Sequence, residues 1–380
     1  MRRPGLKVAA VLVATGILTA WDAVYLVAAV VVGPVNNDFR NYYTAATIGL
    51  RYGWARIFDL ALQQRVADGL GLAVLPFANP PPLAWLAAPF AVLPFRPALV
   101  AWLLMLLAAF GWAWWVAAPG RGLARIAALT AAFGVFPVAF AFVLGQACVL
   151  VAAAVGVTWW LAKRGNPVLA GLALTMIVLK PQDALLLPFA LLVSGRWRIF
   201  ASWAVPSALL AAVSLLSLGA SGWDDYRHAL GILNSLEIGR RYALPVIIGT
   251  SPLAQVLQVG LGLAALGIAW RRRASLEAVV LVGVLGSFMA TPYLSLQDQV
   301  VLVVAVWVCL QRRVWRPIWL VLGLGYVALE FAIPLGGAPL MGLELLLLAA
   351  CLHDDEDGRP EKDDPERRED AAHHRQHHLQ

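Results

Sequence analysis

The chain has 380 residues, 61% of them hydrophobic and only 13% charged, too little polar surface to cover a water-soluble globule of that length. Its net charge of +7 is uneven: residues 353–380 hold five Lys/Arg against ten Asp/Glu, leaving +12 on residues 1–352. Basic residues that punctuate apolar runs mark membrane topology, so the excess excludes a soluble nucleic-acid binder and makes the bilayer the solvent.

A spanning helix needs roughly 20 apolar residues, and such runs follow one another almost end to end. Hydropathy predicts helices near 7–33, 97–118, 125–145, 147–162, 167–179, 183–195, 199–219, 246–270, 275–291, 298–311, 317–334 and 338–352. The first is expected to be retained, because the run after Met1-Arg2-Arg3 reaches about Val32, too long for a signal sequence. Residues 83–94 are apolar but too short to span, and lie between Pro80-Pro81-Pro82 and Pro94. They read as a re-entrant or interfacial helix. The expected fold is all-α: one polytopic transmembrane bundle of about 12 helices over residues 1–352, followed by a disordered charged tail, 353–380, that lacks the apolar residues to fold.

Arg2-Arg3, the arginines of 121–125, Lys163-Arg164, Arg196 and Arg198, Arg271-Arg272-Arg273, and Arg312-Arg313 with Arg316 mark one side. The positive-inside rule makes that side cytoplasmic. Both termini are then cytoplasmic in a multi-pass protein of the cell membrane, and two long outer loops, 34–82 and 220–245, face the other side. The three cysteines, Cys148, Cys309 and Cys351, sit in or at the end of apolar runs, so no disulfide framework is expected. His373, His374, His377 and His378 fall in the tail, on the wrong side for outer-face chemistry. No metal site and no cofactor are expected. There is no phosphate-cradling Gly-rich loop, which disfavours a soluble nucleotide ligand.

Short predicted helices meet at Lys180-Pro181-Gln182 and at Thr291-Pro292-Tyr293. Paired short helices with a polar, proline-containing apex imply a cavity entering the membrane from the outer face. Asp38, just past the first helix, has two readings. It could act as general base on an acceptor hydroxyl, or with Asn37 it could cap an amphipathic helix running through Tyr42, Ala46 and Leu50. Lys180 is the membrane lysine away from the basic flanks, suited to a phosphate or to a structural pair with Asp183. Arg240-Arg241 stand in the second outer loop against the charge rule, so they either bind a phosphate or pair with Asp224, Asp225 or Glu237. Gln146 and Asp298 either line a substrate site or hydrogen-bond between helices. Asp22, Glu330 and Glu344 are expected to face the bundle without a catalytic role. Trp112, Trp114, Trp115, Trp159 and Trp160 read as an interfacial belt.

Asp38-Phe39 with Tyr42-Tyr43 and Ala45-Ala46, Phe58-Asp59, Phe77 with Pro80-Pro81, and Pro89 with Pro94 open a pattern. It continues through Leu144-Gly145-Gln146, Ala170-Gly171, Lys180-Pro181-Gln182, Arg196-Trp197-Arg198 and Thr291-Pro292-Tyr293 with Asp298. In order and spacing this resembles glycosyltransferase family 87, of the C-type superfamily that uses polyprenyl-phosphate sugars, over about residues 36–300. The resemblance implies a transferase with Asp38 as catalytic group. It would move a monosaccharide, mannose foremost, from a polyprenyl-phosphate carrier to a lipid or polysaccharide acceptor on the outer face, with inversion. Lys180, Gln182, Arg240, Arg241, Gln146, Tyr293, Asp298, Tyr42 and Asp59 are the substrate-binding residues expected on that reading. Asn79 and Gln297 depart from the family pattern, which usually has an aromatic and a tyrosine there. The competing class is a transporter or flippase of lipid-linked or amphipathic substrates.

Overall fold

The computed structural model describes residues 4–32, 38–72, 75–235 and 241–353, and every regular element among them is helical. In a bilayer only closed hydrogen-bonding patterns are stable, and a helix satisfies its backbone within one segment. In chain order the helices are α1 (Pro4–Val32), α2 (Phe39–Tyr52), α3 (Leu60–Gly69), α4 (Pro81–Ala87), α5 (Phe95–Ala117), α6 (Leu123–Phe133), α7 (Phe136–Leu144), α8 (Cys148–Lys163) and α9 (Pro167–Leu174). They continue with α10 (Leu186–Val193), α11 (Trp197–Ser235), α12 (Pro245–Ile248), α13 (Pro252–Arg271), α14 (Leu276–Ala290), α15 (Val300–Cys309), α16 (Arg316–Glu330), α17 (Ala332–Leu335) and α18 (Gly337–His353). The chain is therefore an all-α, multi-pass membrane protein.

Val8–Ala28, Phe95–Ala117, Trp197–Leu233 and Pro252–Arg271 are each long and apolar enough to cross a bilayer. The predicted span 125–145 is a pair, α6 and α7, bent by 69°. The predicted span 199–219 runs on as α11, broken at Gly219 (φ 62°, ψ −170°), a conformation that only glycine adopts without strain. Helix thus enters the second outer loop, where none was predicted. Residues 83–94 form the short α4 and then turns, packed against α2.

Length and position are correlated. The long helices lie mostly outside, whereas the short α8 is buried from Cys148 to Trp159 and α14 from Leu276 to Met289. A helix sheathed by protein need not match the bilayer, so its ends can stop within the membrane if they line a cavity. Close approach of α14 to its neighbours uses small residues, as is usual in lipid: a Cβ at Gly283 would lie 2.8 Å from Leu187 Cα in α10, and one at Gly286 2.6 Å from Ala265 Cβ in α13. Trp159 is not part of a surface belt; it is buried and donates to Glu277 Oε1 at 3.1 Å.

The two ends differ in charge. Lys163 pairs with Glu277 at 2.9 Å, Arg196 donates to the Arg273 carbonyl at 3.1 Å and Arg272 to the Cys351 carbonyl at 2.7 Å. These contacts gather the basic flanks of α8, α11, α13, α14 and α18 at one end. The breaks around Lys180 and Thr291 lie at the other.

Asp22 and Glu344 are buried. Gln299 Nε2 donates to Glu344 Oε1 at 2.8 Å, while Gln299 Oε1 and Glu344 Oε2 have no hydrogen-bond partner among the described residues. Both leftover atoms are acceptors, and a buried polar atom without a partner is costly. Glu344→Gln adds a donor to this pair and removes a carboxylate. Its thermal midpoint in detergent is expected to equal or exceed that of wild type, and a clear fall in midpoint would overturn this assignment.

Candidate functional site

The first side of the site is built by the turn between α7 and α8. Gly145 ends α7 in the left-handed region (φ 65°, ψ 37°), where a Cβ would be penalised. Its reversal lets the Gln146 N–H bond back to the Ala141 carbonyl at 2.9 Å. Trp102 Nε1 donates to the Gly145 carbonyl at 2.8 Å, so the turn is held from α5 as well. Leu144-Gly145-Gln146 is thus a helix stop that aims one glutamine inward.

Asp38 begins α2 but does not cap it. Its backbone is already helical, its side chain makes no cap bond, and its N–H donates to the Leu144 carbonyl at 2.9 Å. The carboxylate is turned to Gln146, whose Nε2 donates to Asp38 Oδ2. Burial pushes this carboxyl up to about 6, while nearby Lys180 and the Gln146 bond hold it from rising further. Asn37 lies outside the described residues. Of the face expected for α2, Tyr42 and Ala46 are buried, whereas Leu50 is exposed.

The second side comes from the two breaks. Lys180 (φ −152°, ψ 76°) separates the 3₁₀ turns Thr175–Leu179 and Pro181–Asp183. Thr291 (φ −82°, ψ 138°) ends α14. Each residue precedes a proline, which disfavours the helical conformation there. Lys180 pairs with Asp298 rather than with Asp183, and donates to Gln146 Oε1 at 3.2 Å. Asp298 is fully buried and also accepts the Ser295 N–H at 2.9 Å, as part of a capping box for Leu296–Gln299. Gln146 Oε1 accepts a further bond from the Tyr42 hydroxyl at 3.0 Å. One connected network therefore joins α2, the α7–α8 turn and both breaks.

This network borders a cavity of about 760 Å³. Of the residues expected to bind substrate, Tyr42, Gln146, Lys180, Gln182, Arg241 and Tyr293 line it together with Asp38. Asp298 sits behind Lys180 and is not in the lining. Asn79 and Gln297, the departures from the family pattern, both line the cavity. Arg240 lies outside the described residues. Asp224, a partner foreseen for the loop arginines, instead pairs with Arg227.

Asp59 stands apart from the lining. It caps α3, accepting the Leu62 N–H at 2.9 Å, and pairs with Arg56 at 2.9 Å. The Leu62 bond, with help from Arg56, holds its carboxyl below its ordinary value. Asp59→Ala is expected to lower stability by about 1 kcal/mol through loss of the cap, whereas Asp59→Asn, which caps equally well, keeps it. Denaturation of the two variants side by side checks this, and a catalytic role would instead silence the asparagine variant.

Sequence reasoning missed Asn41 and the α11 residues Tyr226, Leu230 and Leu233, all of which line the cavity. The signal was there: Trp223, Tyr226, Leu230 and Leu233 recur at helical spacing after Gly219. Tyr226 packs on Phe58 with ring centroids 4.5 Å apart. Phe58 in turn stacks on Phe77 at 5.5 Å, which ties α11 to the first outer loop.

The family model of glycosyltransferase family 87 matches residues 77–292. No curated protein and no solved structure matches the chain. The matched stretch holds Gln146, Lys180, Gln182 and Arg241, and ends at Pro292; Asp38 precedes it. A sugar-transfer family on a multi-pass helical bundle favours the transferase over the transporter class. Because the match takes in more than half of the 380 residues, the chain is a membrane glycosyltransferase and belongs to glycosyltransferase family 87.

Proposed function

We propose that the protein transfers one sugar, mannose, from a polyprenyl-phosphate carrier to a lipid or polysaccharide acceptor on the extracytoplasmic face of the cell membrane. The observation that carries this reading is the Asp38 carboxylate, turned away from its own helix end and towards the cavity. The basic end of the bundle is then cytoplasmic, both termini with it, and the cavity opens on the opposite side. A membrane-borne donor fits a cavity whose walls combine Lys180, Arg241 and Gln182 with apolar Phe140, Leu185, Leu186, Leu233 and Ile333.

In this mechanism Asp38 takes the proton of the acceptor hydroxyl as its oxygen attacks the anomeric carbon. The bond from that carbon to the phosphate oxygen breaks, and its electron pair leaves with the polyprenyl phosphate. That leaving group is already anionic, so cations stabilise its departure and no general acid is needed. Arg241, exposed at the cavity and next to Tyr242, whose hydroxyl donates to the Ala332 carbonyl at 3.3 Å, takes that role with Lys180. Displacement in one step inverts the anomeric configuration, so a β-linked donor gives an α-linked product. Asn79 and Gln297 then face substrate and tune which acceptor is taken.

The test is transfer of radiolabelled mannose from polyprenyl-phosphate-mannose to membrane glycolipids and polysaccharide by purified protein, beside the same assay with GDP-mannose. Label transferred from the lipid-linked donor alone supports the reading. Label transferred from GDP-mannose by purified protein would overturn the donor class.

A further inference from the structure

Gln146 was expected among the substrate ligands, but its hydrogen-bonding capacity is almost used up within the protein. The amide oxygen can accept two bonds and receives two, from the Tyr42 hydroxyl and the Lys180 ammonium. One amide hydrogen goes to Asp38 Oδ2. The amide orientation is not arbitrary either. An ammonium is a donor only and a carboxylate an acceptor only, so flipping the side chain would set NH₂ against Lys180 and the carbonyl oxygen against Asp38.

The groups that impose this orientation are themselves immobilised. Lys180 is 4% exposed and Asp298 0%, and Asp298 is tied to the Ser295 backbone. The Gln146 backbone is held by the Gly145 reversal, the Ala141 carbonyl and Trp102. A side chain locked at both ends and aimed at a carboxylate fixes which oxygen of that carboxylate is free.

We infer that Gln146 is a positioning residue for the transfer: by donating to Asp38 Oδ2 it presents Oδ1 to the acceptor hydroxyl. Lys180, held by Asp298, acts on Asp38 through Gln146. The inference rests on Asp38 being the base. The titratable groups around the pair are Lys180 and Asp183 at the first break, Tyr293 and Asp298 beyond the second, Tyr42 on α2 and the Cys148 thiol on α8. A bond donated to the charged form of a carboxyl lowers its proton affinity. Removing that bond therefore moves the acid limb of the pH profile upward.

The experiment measures kcat and KM against pH for wild type, Gln146→Glu, Gln146→Met, Tyr42→Phe and Asp38→Asn. Gln146→Glu keeps the shape but sets a carboxylate against Asp38, while Gln146→Met keeps the bulk and removes the bond. Both are expected to shift the acid limb of kcat up by about one pH unit and to lower kcat near pH 6 about fivefold, with donor KM unchanged. Tyr42→Phe frees one side of the amide and gives a smaller shift in the same direction, so it reports even where the glutamine variants fail to fold. A wild-type pH profile in the variants that fold, or a rise in KM at unchanged kcat, overturns the inference and returns Gln146 to the substrate ligands. Full transfer by Asp38→Asn would overturn the base itself. Loss there with unshifted Gln146 profiles overturns the positioning alone.

Discussion

Asp38→Asn is expected to lower kcat for sugar transfer by about a thousandfold, within the range that a positioned general base contributes, with donor KM little changed. The substitution separates the two roles open to this residue. Asparagine caps a helix about as well as aspartate, so a capping residue would tolerate it. It cannot accept the proton of an attacking hydroxyl. The geometry favours the second role, since Asp38 makes no cap bond and turns its carboxylate to Gln146. The sign of the pH dependence follows from the same burial. The base works ionised, and its carboxyl is pushed up to about 6, so kcat of wild type falls as pH drops through that value. A wild-type rate that stays level down to pH 4 would remove Asp38 from proton transfer.

Lys180→Met and Asp298→Leu, each alone, are expected to cost about 3–5 kcal/mol, because either leaves a buried charge without its partner. The double variant removes both charges and is expected to regain most of that stability, since apolar replacement of a buried pair is often close to neutral. It is not expected to regain transfer, because Gln146 loses the donor that fixes its amide. Thermal unfolding in detergent across the four combinations measures the coupling, and the labelled-mannose assay on the double variant measures the function. Singles that unfold like wild type would mean that the pair contributes nothing to the bundle. A double variant that transfers normally would free both residues from the site.

The helical, membrane-spanning character of the chain was legible in its composition, because apolar runs of this length have no other stable arrangement in lipid. The two breaks were legible too. Proline disfavours the helical conformation at the residue before it, so Lys180-Pro181 and Thr291-Pro292, each with polar groups at the apex, mark breaks from one segment alone, whereas Pro206 is carried inside α11. The helix in the second outer loop was also present in the spacing of Tyr226, Leu230 and Leu233, though hydropathy, tuned to long apolar runs, passes over a short amphipathic one.

Partner choice was another matter. Asp38 and Asp59 both precede helices and look alike in the sequence, yet Asp59 caps α3 and Asp38 does not cap α2. Lys180 has an acidic neighbour in Asp183 but pairs with Asp298, more than a hundred positions away. Local rules count neighbours along the chain, whereas a buried charge takes whichever opposite charge the packing of separate helices brings within reach. By itself the sequence determined the solvent, the helices and the places where they break, because these depend on one segment at a time. Only the tertiary structure decided that Asp38, Gln146, Lys180 and Asp298 form a single network beside a cavity, because that depends on how the short inner helices pack inside the long outer ones.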